Sequence, residues 1–265
     1  MEGSSQLNSV RNAARLLKEF SRTDRELGVS ELARRLELST STVHRMLATL
    51  TAERLLERGR SGRYRLGLAM YDIGANVGPN LDLHEAALPV MAVLRADTGE
   101  TVQLAVLDGL ESVYIDRLES PHTVRIFARV GTRLPATTTS TGKVLLAALP
   151  PAELDARLAL WEPERGTPFT IMDPGTLRAR LREVAERGWA ENREESRVGV
   201  VSVGAPVRDG SGTVVAALSV AAPTDRAAPA ALARIRVAVI AAAARASTRL
   251  GATAGLRPPR VPGPG

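Results

Sequence analysis

Ser39-Thr40-Ser41-Thr42 places four hydroxyls in a row, with His44 and Arg45 directly after them. At the start of a helix, such hydroxyls and the unpaired backbone amides beside them suit phosphate oxygens and base edges. An arginine one turn further in can pair bidentately with guanine or hold a phosphate. Further along, Arg58, Arg60 and Arg63 surround a glycine-bearing turn and offer three more cations, suited to backbone or minor-groove contact. Together these groups have the chemistry of polyanion recognition. The same residue types also serve as helix caps and solvated surface, so the reading rests on their combination.

Bond-breaking chemistry has less support. The chain has no cysteine, which removes thiol nucleophiles and disulfides and suits a reducing cytoplasm. Of its three histidines, His44 falls in the hydroxyl-rich segment, and His84 and His122 have no nucleophile or carboxylate at a telling spacing. His84-Glu85 with His122 lacks the spacing of a metal site. Thr139-Ser140-Thr141-Gly142-Lys143 partly matches a phosphate loop. It fails where Thr137 replaces the first glycine and Val144 replaces the final Ser or Thr. No catalytic residue, metal or cofactor is expected.

The hydroxyls and cations need elements to hold them. Residues 10–21 read as a helix with Ser9 as cap and Val10, Ala13, Ala14, Leu17 and Phe20 on one face. Residues 31–36 form a second, capped by Ser30, with Leu32, Ala33 and Leu36 inward. A break at Glu37-Leu38 leads to a third helix opening at Ser39, in which Val43, Met46, Leu47 and Leu50 make a buried stripe. Leu55 to Arg58 and Tyr64 to Leu66 then form a hairpin around Gly59 and Gly62. Three helices and such a hairpin make a winged helix-turn-helix, in which the second helix of the motif enters the major groove. Residues 68–77 read as a linker helix, with Leu68, Met70, Ile73 and Val77 available to a second copy. Gly78-Pro79-Asn80 closes it.

Beyond that point helices and strands mix. Helices are expected at 83–98, kinked or interrupted at Pro89, and at 142–148, 177–187 and 227–250. Strands are expected at 101–107, 111–117, 124–130, 198–208 and 213–221. Long helices with antiparallel strand pairs imply an α+β sensor domain around one central antiparallel sheet. The Gly/Pro-rich residues 251–265 read as a disordered tail. The expected division is 1–66 for DNA binding, 67–80 for the linker, 81–250 for a sensor and 251–265 for the tail.

Charge follows the same division. Residues 1–70 carry 13 Lys and Arg against 8 Asp and Glu, whereas residues 71–250 carry 20 against 21. Nearly all of the net charge of +6 therefore lies in the first quarter, as expected of a polyanion-binding module joined to a neutral partner domain. No run of apolar residues is long enough for a membrane span.

The sequence resembles the IclR-type transcriptional regulators over about residues 8–250. The matching segments are SVRNAARLLKEF, SELARRLELSTSTVHRMLATL, RYRLG, TGETVQLAVLDGLESVYIDRLES, VGTRLPATTTSTGKVLLAAL and ERGWAENREESRVGVVSVGAPVRDGSGTVVAALSVAAP, in that order. Glu37 departs from the family, which usually has glycine in this turn. The resemblance implies a GAF-like C-terminal domain with an effector held between the sheet and the loop before a helix. It carries the effector-facing role to Ser140, Thr141, Asn192, Ser202, Ser219 and Ala221. Some acid-sensing relatives have Asp, Cys and Ser where this chain has Asn192, Ser202 and Ala221, so their effectors do not transfer. Losing a carboxylate at Asn192 makes an anionic ligand less unfavourable.

The expected protein is a cytoplasmic regulator, a repressor before an activator. Its partners are a double-stranded DNA operator and a small-molecule effector, a small organic acid or related metabolite. It is expected to act as a homodimer or dimer of dimers. The alternatives are a metabolite-acting enzyme or a ligand-free interaction module fused to a DNA-binding domain.

Overall fold

The computed structural model describes residues 7–20, 26–75, 80–123 and 129–252. Chain contacts divide it into two units, Met1–Leu81 and Asp82–Gly265.

The first unit contains α1 (Asn8–Glu19), α2 (Val29–Leu36), α3 (Thr40–Ala52), the strands β1 (Leu56–Arg58) and β2 (Tyr64–Leu66), and α4 (Ala69–Ala75). Leu16, Phe20, Leu32, Leu36, Val43, Leu47 and Leu50 close its core with Leu27, Leu56 and Tyr64. The face of α1 differs from the periodic expectation. Leu16 is fully buried, while Ala14 is exposed and Val10 is 62 % exposed. The helix turns so that Leu16 and Phe20, four residues apart, bury more apolar surface than the alanine-rich face. It begins behind Leu7 with no side-chain cap, so Ser9 lies within its first turn. Likewise α2 begins behind Gly28, which leaves Ser30 inside the helix rather than capping it. The hairpin pairs Leu56 with Leu66 and Arg58 with Tyr64, and Leu27 bridges to Tyr64 and ties the wing to the helices.

The turn between α2 and α3 is closed by Glu37 at φ 57°, ψ 40°, with the Leu38 amide donating to the Ala33 carbonyl. A β-carbon is disfavoured in this left-handed conformation. Glu37→Gly is therefore expected to stabilise the first unit by roughly 1 kcal/mol, visible as a higher melting temperature. An unchanged or lower melting temperature would show that glycine's added freedom in the unfolded chain cancels the relief.

From Asp82 on, the second unit holds all but the first two residues of α5 (Asn80–Thr98), followed by β3 (Thr101–Asp108), β4 (Glu111–Leu118), β5 (Arg133–Pro135) and a 3-10 turn (Ala136–Thr138). Then come α6 (Ser140–Ala147), α7 (Pro151–Leu158), α8 (Pro174–Arg187), β6 (Ala190–Arg193), β7 (Val200–Arg208), β8 (Val214–Pro223) and α9 (Pro229–Arg249). The six strands form one antiparallel sheet in the order β5-β4-β3-β8-β7-β6. Strand alternation divides the packing. Val102, Leu104, Val201, Val203, Leu218 and Val220 meet α5 and α9 on one face. Ala217 on the other face meets Val144 and Leu145 of α6, which is backed by Val184 of α8.

The α+β class and antiparallel sheet are those expected, with several local corrections. α5 runs unbroken through Pro89, which lies on its exposed side, where water can take the carbonyl that proline leaves unpaired. Of the strand expected at 124–130, residues 124–128 lie outside the described residues, and Arg129 and Val130 are not in a strand. The strand after β4 is β5, three residues long and ending in Pro135 at the sheet edge, too short to show alternation. The helix expected at 142–148 starts two residues earlier, at Ser140, because Thr139 caps it. A further short helix, α7, opens at Pro151, since proline fits the first helical position. Val77, Gly78 and Pro79 of the linker and residues 253–265 of the tail lie outside the described residues.

Candidate functional site

Two sites were read from the sequence, one in each unit. In the first unit, Ser39 caps α3. Its Oγ accepts from the Thr42 amide at 3.2 Å and lies 2.8 Å from Thr42 Oγ1 and 3.0 Å from Ser41 Oγ. Ser39 is thus engaged in building the helix start. Thr40, Ser41, Thr42, His44 and Arg45 are all exposed on the side of α3 away from its buried stripe. No side-chain partner within the described residues engages the His44 ring or the Arg45 guanidinium, so both are available to an external ligand.

The three wing arginines differ. Arg60 is exposed at the hairpin tip, and Arg58 lies 5.8 Å from the Tyr64 ring centroid, a weak cation–π contact that leaves its hydrogen-bond donors usable. Arg63 is already committed. It donates to the Glu26 carbonyl at 2.9 Å and to Glu31 Oε2 at 2.9 Å, bracing the wing against the start of α2. Sequence alone gives the three the same reading. The pairing of Arg63 depends on where the hairpin folds back.

In the second unit, a cavity of about 210 Å³ lies on the α6 face of the sheet. Asn192, Ser202 and Ala221 line it, brought together by the pairings Asn192↔Ser202 and Ser202↔Ala221 across β6, β7 and β8. Ser140 stands behind this wall, with its Oγ 2.8 Å from Ser202 Oγ. Thr141 is turned toward Ser112 Oγ at 2.8 Å and Tyr114. Ser219 does not reach the cavity, although it shares a face with Ala221. It pairs with Gly204, where a β-carbon would come within 3.1 Å of the Ser140 backbone. The first turn of α6 rests on the sheet at that level, so the open space ends there.

The remaining lining was not singled out from the sequence. Gln103 from β3, Tyr114 from β4, Thr139 at the α6 cap, and Ser196 and Arg197 after β6 also face the cavity. Only period-2 alternation from β3 and β4 pointed toward Gln103 and Tyr114, and it does not say which face holds open space. Burial pushes the Tyr114 hydroxyl above its ordinary pKa, against the smaller opposing effects of Thr141 and Arg117. It therefore stays neutral and able to donate. Arg197 is the one charged residue lining this cavity, amid neutral hydroxyls and amides. Asn192 is oriented by two bonds, accepting from the Glu195 amide at 2.9 Å and donating to Ser196 Oγ at 3.2 Å.

His84 is paired through Nδ1 with Asp116 at 2.8 Å. Among the described residues no His, Cys, Asp and Glu group has the arrangement of a metal site, and no helix is long and apolar enough to cross a membrane.

Residues 9–60 match the model of the IclR helix-turn-helix domain, and residues 76–248 match that of the bacterial transcriptional regulator IclR C-terminal domain. The chain belongs to the IclR family. It is a DNA-binding transcriptional regulator, and the relatives it matches are named as regulators or repressors rather than enzymes. The HTH-type transcriptional regulator XynR of Escherichia coli is 35% identical over 87% of this chain and 92% of its own length. The regulator KdgR of Escherichia coli is 37% identical over 77% of this chain and 78% of its own length. Among solved structures, an IclR homolog from Microbacterium hydrocarbonoxydans complexed with 4-hydroxybenzoate superposes with TM-score 0.82 at 30% identity. That match covers 92% of this chain and 99% of the homolog.

Proposed function

We propose that this IclR-family protein is a repressor whose grip on its operator is set by a small organic acid held in the cavity of the second unit. The observation that carries the reading is the lining of that cavity. One guanidinium, Arg197, stands among the neutral donors of Gln103, Tyr114, Thr139, Asn192 and Ser202. A single cation among neutral hydrogen-bonding groups suits one carboxylate attached to a small polar or aromatic body. The acid 4-hydroxybenzoate bound to the Microbacterium homolog is of this class, and the relative AllR of Escherichia coli is named a repressor. Asn192 adds no negative charge to oppose an acid.

In this reading residues 1–66 form the operator-binding head and residues 67–80 the linker helix. Residues 81–250 form the effector domain, followed by a tail at 251–265. Thr40, Ser41, Thr42, His44 and Arg45 face the major groove, and Arg58 and Arg60 touch the flanking backbone. One head covers too little DNA for strong specificity, so the protein acts as a homodimer or dimer of dimers on a near-palindromic site. Leu68, Tyr71 and Ile73, 72%, 74% and 57% exposed, give the linker an apolar surface for the second copy.

Ser202→Leu tests the cavity. The larger side chain fills it, so a thermal-shift response to a panel of small carboxylic acids, 4-hydroxybenzoate included, should be lost. Operator binding in gel shifts should stay within about threefold, a change of under 1 kcal/mol. A folded variant that still responds as the native protein does would place the effector elsewhere.

A further inference from the structure

Among the described residues, Lys143 is the largest side chain fully withdrawn from water. It lies one turn into α6, and its Nζ donates to Glu195 Oε1 at 2.5 Å. Burial pushes the ammonium below its ordinary pKa, and Glu195 works against that shift. Glu195 is itself buried, and its second carboxylate oxygen has no partner within the described residues. A pair this deep, with one oxygen unmatched, is a poor source of stability, because desolvation offsets the attraction. Its geometry points to a different role.

The pair joins two parts of the cavity wall. On one side, the Lys143 amide donates to the carbonyl of Thr139, which lines the cavity. On the other side, Glu195 is followed directly by Ser196 and Arg197, which also line it. These residues belong to the connection at 194–199 between β6 and β7, and its own attachments are polar. The Glu195 amide donates to Asn192 Oδ1 at 2.9 Å, and its carbonyl accepts from Thr170 Oγ1 at 2.9 Å. Glu194 is left-handed at φ 60°, and its carboxylate accepts from the Gly199 amide at 2.9 Å. Val198 is 60 % exposed, so apolar burial does little to hold the connection. A segment with so few apolar contacts opens readily unless something pins it.

We propose that Lys143 and Glu195 form a positioning pair that fixes the 194–199 connection, and with it Ser196 and Arg197, as one wall of the cavity. The functional meaning of this pair rests on the reading of the cavity as the effector site. The pair's effect on the connection can be read without any effector.

The test is Lys143→Met with Glu195→Met in the full chain, which removes both charges together and roughly keeps the volume. Hydrogen–deuterium exchange is measured with no ligand added. Peptides covering residues 194–200 should exchange at least about tenfold faster than in the native protein, while β7–β8 peptides and the melting temperature stay unchanged. Native-like exchange at 194–200 in the folded variant would overturn the proposal. So would a lowered melting temperature with faster exchange in β7 and β8, or failure to fold, since either would make the pair a requirement of the whole domain. Because no effector enters this measurement, a failed cavity assignment would appear in the Ser202→Leu experiment and leave this result standing.

Discussion

Gly142→Ala is expected to unfold the second unit at temperatures where the native protein is intact. A β-carbon on Gly142 would lie 2.2 Å from the Ala136 Cα and 2.3 Å from the Ala136 carbonyl oxygen. These are backbone atoms, so no side-chain rotation relieves the clash. The 3-10 turn cannot retreat easily, because Ala136 is fully buried and its amide donates to the Leu110 carbonyl at 2.8 Å. α6 cannot retreat either. Thr139 Oγ1 accepts from the Gly142 amide at 3.0 Å, and the start of the helix lies against Gly204 of the sheet. Overpacking without an escape route costs roughly 3 kcal/mol or more, a large part of the stability of a typical domain. Circular dichroism melts should show an early transition or none. A melting temperature within a few degrees of native would mean that α6 and the turn can separate at little cost.

Arg45→Ala should weaken operator binding by roughly 1–3 kcal/mol, about 5- to 150-fold, and change base preference at one position in each half-site. The side chain is exposed on α3, outside the stripe of Val43, Leu47 and Leu50, so its loss should leave folding intact. Arg60→Ala is the contrasting variant. From the hairpin tip it should weaken binding to all sequences alike and lower the salt dependence by about one counterion. Gel shifts on operator and scrambled DNA at several salt concentrations separate the two. If both variants bind like the native protein, the reading surface lies elsewhere.

The structure gives Gly142 a different meaning from the one its motif suggests. In sequence it stands beside Lys143 as a partial phosphate loop. In the fold the glycine is needed because a helix and a turn meet backbone to backbone, and the lysine is buried against Glu195. The residue types are those of an anion site, but the space that such a site needs is filled.

The effector candidates divide for a related reason. Asn192, Ser202 and Ala221 meet at the cavity because strand pairing puts β6, β7 and β8 side by side, whereas Ser140, Thr141 and Ser219 are taken up by the contact between α6 and the sheet. Alternation assigns Ser219 and Ala221 to one face, but it does not show how far along that face a helix rests.

By itself the sequence determined the helix-turn-helix with its wing, the α+β character of the second unit and the concentration of positive charge in the first quarter. These follow from local periodicity, capping residues and turn formers, which act over a few neighbouring residues. Only the tertiary structure decided that Arg63 braces the wing, that Leu16 turns α1 inward, and that Gln103, Tyr114, Thr139 and Arg197 share a cavity with Asn192. It also decided that Lys143 meets Glu195, a residue 52 positions away. Those outcomes depend on which surfaces touch and which space stays empty, and both are set by packing between segments far apart in the chain.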